Sequence, residues 1–128
     1  MSFYGFVAIG VGAMLGAWFR WLLSFTLNPL FPSLPPGTLV ANLLGGYLIG
    51  LFLALCEHHP AISPEMRLFI ITGFLGGLTT FSTFSAESVG LINRAHYMAA
   101  FLHISFHLIG SLGMTGLGMA TIKWLKLT

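Results

Sequence analysis

The sequence contains very few charged residues. Asp, Glu, Lys and Arg together make up 6% of its 128 residues, whereas hydrophobic residues make up 56%. Soluble domains carry roughly 25% charged residues. A chain so poor in charge lacks a water-facing surface, so we predict an integral membrane protein. A nucleic-acid-binding surface is excluded too, because the net charge is only +2 and no basic cluster is present.

Cysteine and acidic side chains are almost as scarce. The single cysteine, Cys56, excludes an internal disulfide and argues against a thiolate metal cluster. The only carboxylate side chains are Glu57, Glu65 and Glu87, and the first two lie in a loop beside prolines. No nucleophile elbow, phosphate-binding loop or metal-ligand motif is present. The sequence therefore predicts that the protein is not an enzyme.

Long apolar runs dominate the rest of the chain. A membrane-spanning helix needs about 20 mostly apolar residues, and the runs of that length are separated by proline-rich or polar connectors. We place four spans, at about residues 3–27, 37–56, 68–92 and 98–122. The predicted fold is an all-α, multi-pass membrane protein with a single transmembrane domain, residues 1–128, in the inner or plasma membrane.

The basic residues are spread almost evenly over the two sides of the membrane. An even number of spans places both termini on one side, which then holds Arg67, Lys123 and Lys126. The other side holds Arg94 and, depending on its depth, Arg20. So small a bias is compatible with one fixed orientation or with insertion in both orientations. Because four helices are few for enclosing a pore and small residues that favour close helix packing are abundant, we predict an oligomer.

One segment of the third span is unusually polar. Most residues from 79 to 88 carry a hydroxyl or a carboxylate, and they follow the pair Gly76-Gly77, where we expect the helix to break. Polar groups in hydrocarbon are costly unless they face other protein or a water-filled path. A broken, polar helix at membrane depth is typical of an ion or solute site. We therefore predict that the third helix is broken near its middle and that the functional site lies beside the break.

The first two spans contribute isolated polar residues. Arg20 follows Gly12 and Gly16 on one helical face, where its charge could attract an anion or reach a lipid headgroup. Thr38 and Asn42 lie one helical turn apart and offer a hydroxyl and an amide donor. These two residues either line a pore or form hydrogen bonds between helices.

The polar part of the third span combines aromatic rings with hydroxyls. Phe81 and Phe84 share a helical face and lie beside Ser82 and Thr83. A phenylalanine ring has a positive edge, so ring edges alternating with hydroxyl donors could line an anion path, although aromatic pairs at this spacing also serve packing. Glu87 argues against an anion path unless it is protonated, bound by hydroxyl donors or close to a membrane end.

Polar residues of the fourth span form one stripe. His103, His107, Ser111 and Thr115 follow one another at single-turn steps. Two histidines at this spacing can bind a metal, but the sequence shows no third ligand of the HExxH kind. We therefore favour a track of donors along a pore over a metal site, with hydrogen bonding between helices as the alternative.

Three stretches carry more specific signatures. They are residues 12–17 with Arg20, residues 37–42 with the glycines up to Gly50, and residues 73–84, which end in Thr-Thr-Phe-Ser-Thr-Phe. Together they resemble the Fluc fluoride channels, a family of CrcB-like proteins, over all four spans. The resemblance implies an antiparallel, dual-topology homodimer that exports toxic fluoride by passive, selective conduction through two pores.

The resemblance also implies roles for residues around the pore. Asn42 is expected to line it as an amide donor, and Phe81 and Phe84 are expected to meet fluoride with their ring edges. Arg20 and Thr38 would lie by the aqueous entrance.

The remaining implied site residues form polar paths. Ser82, Thr83 and Glu87 would make a hydroxyl and carboxylate relay near one pore end. His107 and Ser111 would belong to the polar track of the fourth span, where family members often carry Tyr and Ser. The histidines depart from that pattern, so their presence points to pH-sensitive conduction.

A structural sodium ion is the cofactor that the resemblance implies. It would sit at the dimer centre, bound by the backbone carbonyls of Gly76 and Thr79 from both chains. The expected partners are thus a second copy of the chain, membrane lipid, fluoride and sodium, with no nucleic acid.

A small proton-coupled exporter of the multidrug-resistance type is the alternative function. Such exporters are also four-span antiparallel dimers, but they depend on a carboxylate in the first span, and residues 3–27 contain none. A non-transporting assembly subunit is a third possibility. That function would not explain why the third span is rich in hydroxyl groups.

Overall fold

A computed structural model describes residues 2–126, without the side chain of Lys126. Within this part of the chain, four helical segments are long and apolar enough to cross a membrane: Phe3–Leu30, Pro36–His58, Pro64–Asn93 and Tyr97–Leu125. The predicted four-span helical architecture is confirmed. The charge that Lys126 adds to one side of the membrane belongs to a side chain outside the described residues.

The third span consists of two helices, so the described residues contain more helices than spans. We number them α1 (Phe3–Leu27), α2 (Pro36–His58), α3 (64–78), α4 (Phe81–Asn93) and α5 (Tyr97–Lys126). α3 is composite, because an α-helical start at Pro64–Arg67 leads into a π-helix at Leu68–Leu75 and a last turn at Gly76–Leu78. Together, α3 and α4 form the third span.

Short polar side chains fix the beginnings of the helices. The Ser2 hydroxyl accepts a hydrogen bond from the Gly5 N–H at 3.2 Å, and Ser63 caps α3 in the same way. The Asn28 side chain accepts from the Gly37 N–H at 2.9 Å, which ties the end of α1 to the first turn of α2. The first connector therefore holds the entrance of α2 in place.

Glycines bring the helices into two close pairs. A Cβ atom at Gly16 of α1 would collide with the carbonyl oxygen of Phe74 in α3. One at Gly50 of α2 would collide with the carbonyl oxygen of Thr115 in α5. Backbone approach of this kind needs small residues, and in lipid it is the main source of helix association. α1 thus packs on α3, and α2 packs on α5.

We expect Gly16→Ala to destabilise the folded protein by about 1–3 kcal/mol, because the added methyl group must push apart two backbones that cannot move independently. Gly10→Ala is the matched control on the same helix, since a Cβ there meets nothing within 4 Å. Chemical denaturation in detergent would compare the two variants with the wild type. Equal stability of both variants would contradict the packing described here.

A buried apolar cluster joins the end of α3 to α2. It contains Ala41, Leu75 and Leu78, which are almost fully buried. Ala41 directly precedes Asn42, so this contact places the Asn42 side chain beside the residues that follow α3.

Candidate functional site

Two consecutive residues interrupt the third span. Thr79 has φ −82° and ψ 154°, and Thr80 has φ −152° and ψ 118°, so both are extended. The Thr80 hydroxyl accepts from the Thr83 N–H at 3.2 Å and caps α4, a role for which threonine is well suited. Gly76 and Gly77, by contrast, are helical.

Asn42 forms hydrogen bonds to the backbone of Thr80 where the helix is interrupted. Its side-chain oxygen accepts from the Thr80 N–H at 2.8 Å, and its Nδ2 donates to the Thr80 carbonyl at 3.0 Å. At membrane depth no water satisfies exposed backbone groups, so such partners are required. Asn42 therefore holds Thr80 from the neighbouring span.

The same amide group also contacts the last span. Asn42 Nδ2 lies 3.1 Å from His107 Nδ1. Because the two bonds to Thr80 fix which end of the amide is nitrogen, Nδ2 donates and His107 Nδ1 accepts. Both amide hydrogens of Asn42 are thus engaged, and it offers an N–H to an ion only in exchange for its bond to His107.

Arg20 lies against the end of α3. Its Nε donates to the Gly77 carbonyl at 3.0 Å. Carbonyl groups at the end of a helix carry a partial negative charge that a cation stabilises. The Arg20 charge is therefore placed beside the interruption, on the α1 side.

Hydroxyl groups cluster around Thr80. Its Oγ1 lies 3.2 Å from the Ser82 hydroxyl and 3.1 Å from the Thr83 hydroxyl. Thr80 was not among the predicted site residues, although its backbone and side chain connect Asn42 with Ser82 and Thr83. The signal that could have found it is its position as a capping threonine directly before the Phe81–Phe84 turn.

A second polar cluster contains Glu87. The Thr38 hydroxyl donates to Glu87 Oε1 at 2.8 Å, and His103 Nε2 lies 3.4 Å from Glu87 Oε2. Thr38 and His103 are buried, and Glu87 is partly buried. These three side chains come from three different spans, α2, α4 and α5. Their contact could not be predicted from the spacing of residues in the sequence.

Aromatic rings connect the two clusters. The Phe81 and Phe84 rings meet edge to face, with centroids 5.4 Å apart. The Phe84 ring also lies 4.7 Å from the ring of His107 and 5.7 Å from that of His103. Phe84 thus packs between the histidines and Phe81.

An open cavity of about 630 Å³ lies on the face where α2, α5 and the interruption meet. Its lining includes Gly76, Thr79, Thr80 and Ser111. Phe81 stands at this face with 77% of its surface exposed. The sequence-predicted residues therefore fall into two groups. One is a set of polar contacts between spans, and the other is an open face of aromatic and polar residues. Arg20 contacts the interruption from α1.

Comparison with known proteins places the chain in a family. The profile described as CrcB-like protein, Camphor Resistance (CrcB), matches residues 7–119. The chain belongs to the CrcB-like family. It is similar to a protein of Nitrosospira multiformis, with 61% identity over 98% of both chains. It is also 60% identical to a protein of Chromohalobacter salexigens over 94% of this chain and 91% of that one.

A third relative, from Pseudomonas syringae pv. maculicola, is 56% identical over 91% of this chain and 92% of its own. All three CrcB-like relatives carry the name "Fluoride-specific ion channel FluC", which describes a channel and no enzyme. With four spans and these relatives, the protein is a multi-pass protein of the cell membrane, as predicted.

Proposed function

We propose that the protein is a fluoride-selective channel that exports fluoride passively. The observation that carries this proposal is the 61% identity, over 98% of the chain, to a protein named a fluoride-specific ion channel. The arrangement of the site supports it. Fluoride is small and strongly hydrated, so its passage requires closely spaced N–H, O–H and ring-edge donors in a narrow path.

The pore residues in this proposal are buried and partly buried polar residues of α2, α4 and α5. Thr38 is the third residue of α2, and with Glu87 it forms the end of the path near the connector that follows α4. Asn42 and His107 lie deeper, and Ser111 is deeper still along α5. Selectivity then follows from pore width and donor geometry.

Phe81, Phe84, Ser82 and Thr83 are proposed to form the wall that fluoride passes. The two rings meet edge to face with an interplanar angle of 61°, and the hydroxyls of Ser82 and Thr83 lie close to that of Thr80. Arg20 contributes a permanent positive charge near this wall. The hydrogen bond from Arg20 to the Gly77 carbonyl supports this position of the charge beside the interruption.

We also propose that two copies assemble as an antiparallel, dual-topology homodimer with two pores. The support is the open face around Thr79, Thr80 and Phe81, because a polar interruption of a helix is unfavourable when it faces lipid. A second copy would cover this face. The nearly balanced basic residues are compatible with chains inserted in both orientations.

The residues at the interruption fit the sodium ion that the resemblance implies. In a continuous helix the carbonyls of Gly76 and Thr79 would accept from the N–H groups of Thr80 and Thr83. Those N–H groups instead donate to Asn42 and to the Thr80 hydroxyl. Carbonyl oxygens freed at a helix break are ligands for sodium. Gly76 and Thr79 would hold the ion, which would join the two chains.

Ion efflux from liposomes that contain the purified protein tests the proposed function. We expect fluoride to leave in the absence of a proton gradient while chloride is retained. Protein-free liposomes provide the background leak. Absence of fluoride efflux would contradict the proposal, and efflux that occurs only with a proton gradient would favour the exporter alternative.

A further inference from the structure

Three buried polar atoms face one another near one end of the proposed path. Among the described residues, Glu87 Oε2, His103 Nε2 and His107 Nε2 are buried atoms without a hydrogen-bond partner. His103 is 2% exposed and His107 is 4% exposed, so both side chains lie away from bulk water. Buried groups of this kind are rare and indicate a specific role.

We propose that Glu87, His103 and His107 form a binding site for a divalent transition-metal ion of the zinc class. One ligand atom from each side chain lies within 4.8 Å of the others. The His103 Nε2 to Glu87 Oε2 distance of 3.4 Å already matches the ~3.3 Å between ligand atoms in tetrahedral zinc sites with bonds of about 2.0–2.1 Å. The His107 ring would have to turn to bring its ligand atom to the same distance.

The histidine spacing alone favoured a track of donors over a metal site. The two histidines are one turn apart on α5, and the sequence shows no third ligand on that helix. The structure supplies one from α4, because Glu87 faces His103 across the helix pair.

The donor set selects the class of metal. Two imidazoles and one carboxylate suit zinc, nickel, copper or cobalt, whereas magnesium and calcium require oxygen ligands. Thr38 donates to Glu87 Oε1 and leaves Oε2 directed at His103. A hydrogen bond of this kind orients a metal-binding carboxylate.

Metal binding at His107 Nε2 has a defined structural cost. The other ring nitrogen, Nδ1, must then carry the proton, and it no longer accepts the hydrogen bond from Asn42 Nδ2. One hydrogen bond is exchanged for one metal bond. Binding therefore releases the Asn42 amide from His107 while its two bonds to Thr80 persist.

The site is reachable from one aqueous side. Glu87 lies six residues before Asn93, the end of α4, and His103 lies six residues after Tyr97, the start of α5. At 1.5 Å per residue, this depth is about 9 Å. The Glu87 side chain is 19% exposed, so an ion arriving from the connector meets the carboxylate first.

The metal also affects transport, a consequence that rests on the proposed function. An ion held by Glu87, His103 and His107 occupies the path that fluoride is proposed to follow. In the proposed antiparallel dimer each side of the membrane presents one connector between α4 and α5, so zinc added to both sides should inhibit fluoride efflux.

Zinc binding to the purified protein without an affinity tag tests the site independently of transport. The background is H58Q/H59Q/H96Q, which removes the three exposed histidines and leaves only His103 and His107. Calorimetry should give one zinc ion per chain in this background. Glu87→Gln or His103→Gln in the same background should weaken binding by about tenfold or more.

Size-exclusion chromatography and circular dichroism establish that each variant is folded, and Glu87→Gln preserves the shape of the side chain. Loss of stoichiometric binding in the triple background, or unchanged affinity in both cluster variants, would overturn the proposal. The transport measurement is separate. If zinc binds as expected but the protein conducts no fluoride, the proposed function fails and the metal site stands.

Discussion

Asn42→Ala is expected to abolish most fluoride efflux and to weaken the fold at the interruption of the third span. The variant loses the bonds to the N–H and to the carbonyl of Thr80, which is buried. The Thr80 N–H is then left without a partner, which costs about 1–3 kcal/mol, whereas the Thr80 carbonyl still accepts the first hydrogen bond of α4. Efflux should fall roughly tenfold or more, since loss of the Asn42 donor need raise the barrier to fluoride by only about 1.4 kcal/mol.

Two controls distinguish the effects of this substitution. Asn93→Ala makes the same chemical change at an exposed position at the end of α4 and should leave efflux and stability unchanged. Asn42→Asp keeps an acceptor for the Thr80 N–H but loses both donors and adds a negative charge at membrane depth, so it should conduct fluoride no better than Asn42→Ala. Wild-type efflux in Asn42→Ala would refute a role for this amide.

Phe84→Ile and Phe81→Ile are expected to reduce fluoride efflux by about tenfold or more each, because a branched aliphatic side chain has no positive ring edge for the anion. Phe84→Ile should have the larger effect. Its ring contacts both His103 and His107, whereas the Phe81 ring is largely exposed on one chain.

The measurement is fluoride efflux from liposomes at matched protein content, with size-exclusion chromatography to check assembly. Phe106→Ile is the matched control, because Phe106 is an exposed phenylalanine of α5 with 57% of its surface accessible. It should behave as wild type. If both site variants conduct normally, the aromatic pair serves packing only.

The spans could be predicted from sequence because they depend on local properties. Run length and hydropathy decide whether a segment crosses the membrane, and prolines and small polar residues decide where helices begin. The predicted first span, residues 3–27, coincides with α1, Phe3–Leu27. The later helices extend beyond the predicted spans by a few residues at their polar ends.

The position of the non-helical residues illustrates what local properties miss. Glycines reduce helix propensity, which pointed to Gly76-Gly77. In the structure Gly77 is helical. Its missing side chain lets α1 approach closely, since a Cβ there would collide with the Ala13 carbonyl oxygen. The extended residues are instead Thr79 and Thr80, whose backbone groups find partners in another span.

Contacts between spans likewise could not be predicted from the spacing of residues in the sequence. The link from Thr38 to Glu87 joins residues 49 positions apart, and that from Asn42 to His107 joins residues 65 apart. Only helix packing determines such distances. The stripes of polar residues were visible in the sequence, but which stripe faces which was not.

The bond between Asn42 and Thr80 also bears on how the chain is assembled. Asn42 precedes Thr80 by 38 positions, so α2 has already left the ribosome when the third span emerges. The Asn42 side chain is therefore already in place when the extended backbone of Thr80 enters the membrane. His107 is made last, and its arrival completes the hydrogen bonds of the Asn42 amide. The order of synthesis thus matches the order in which this polar centre must be satisfied.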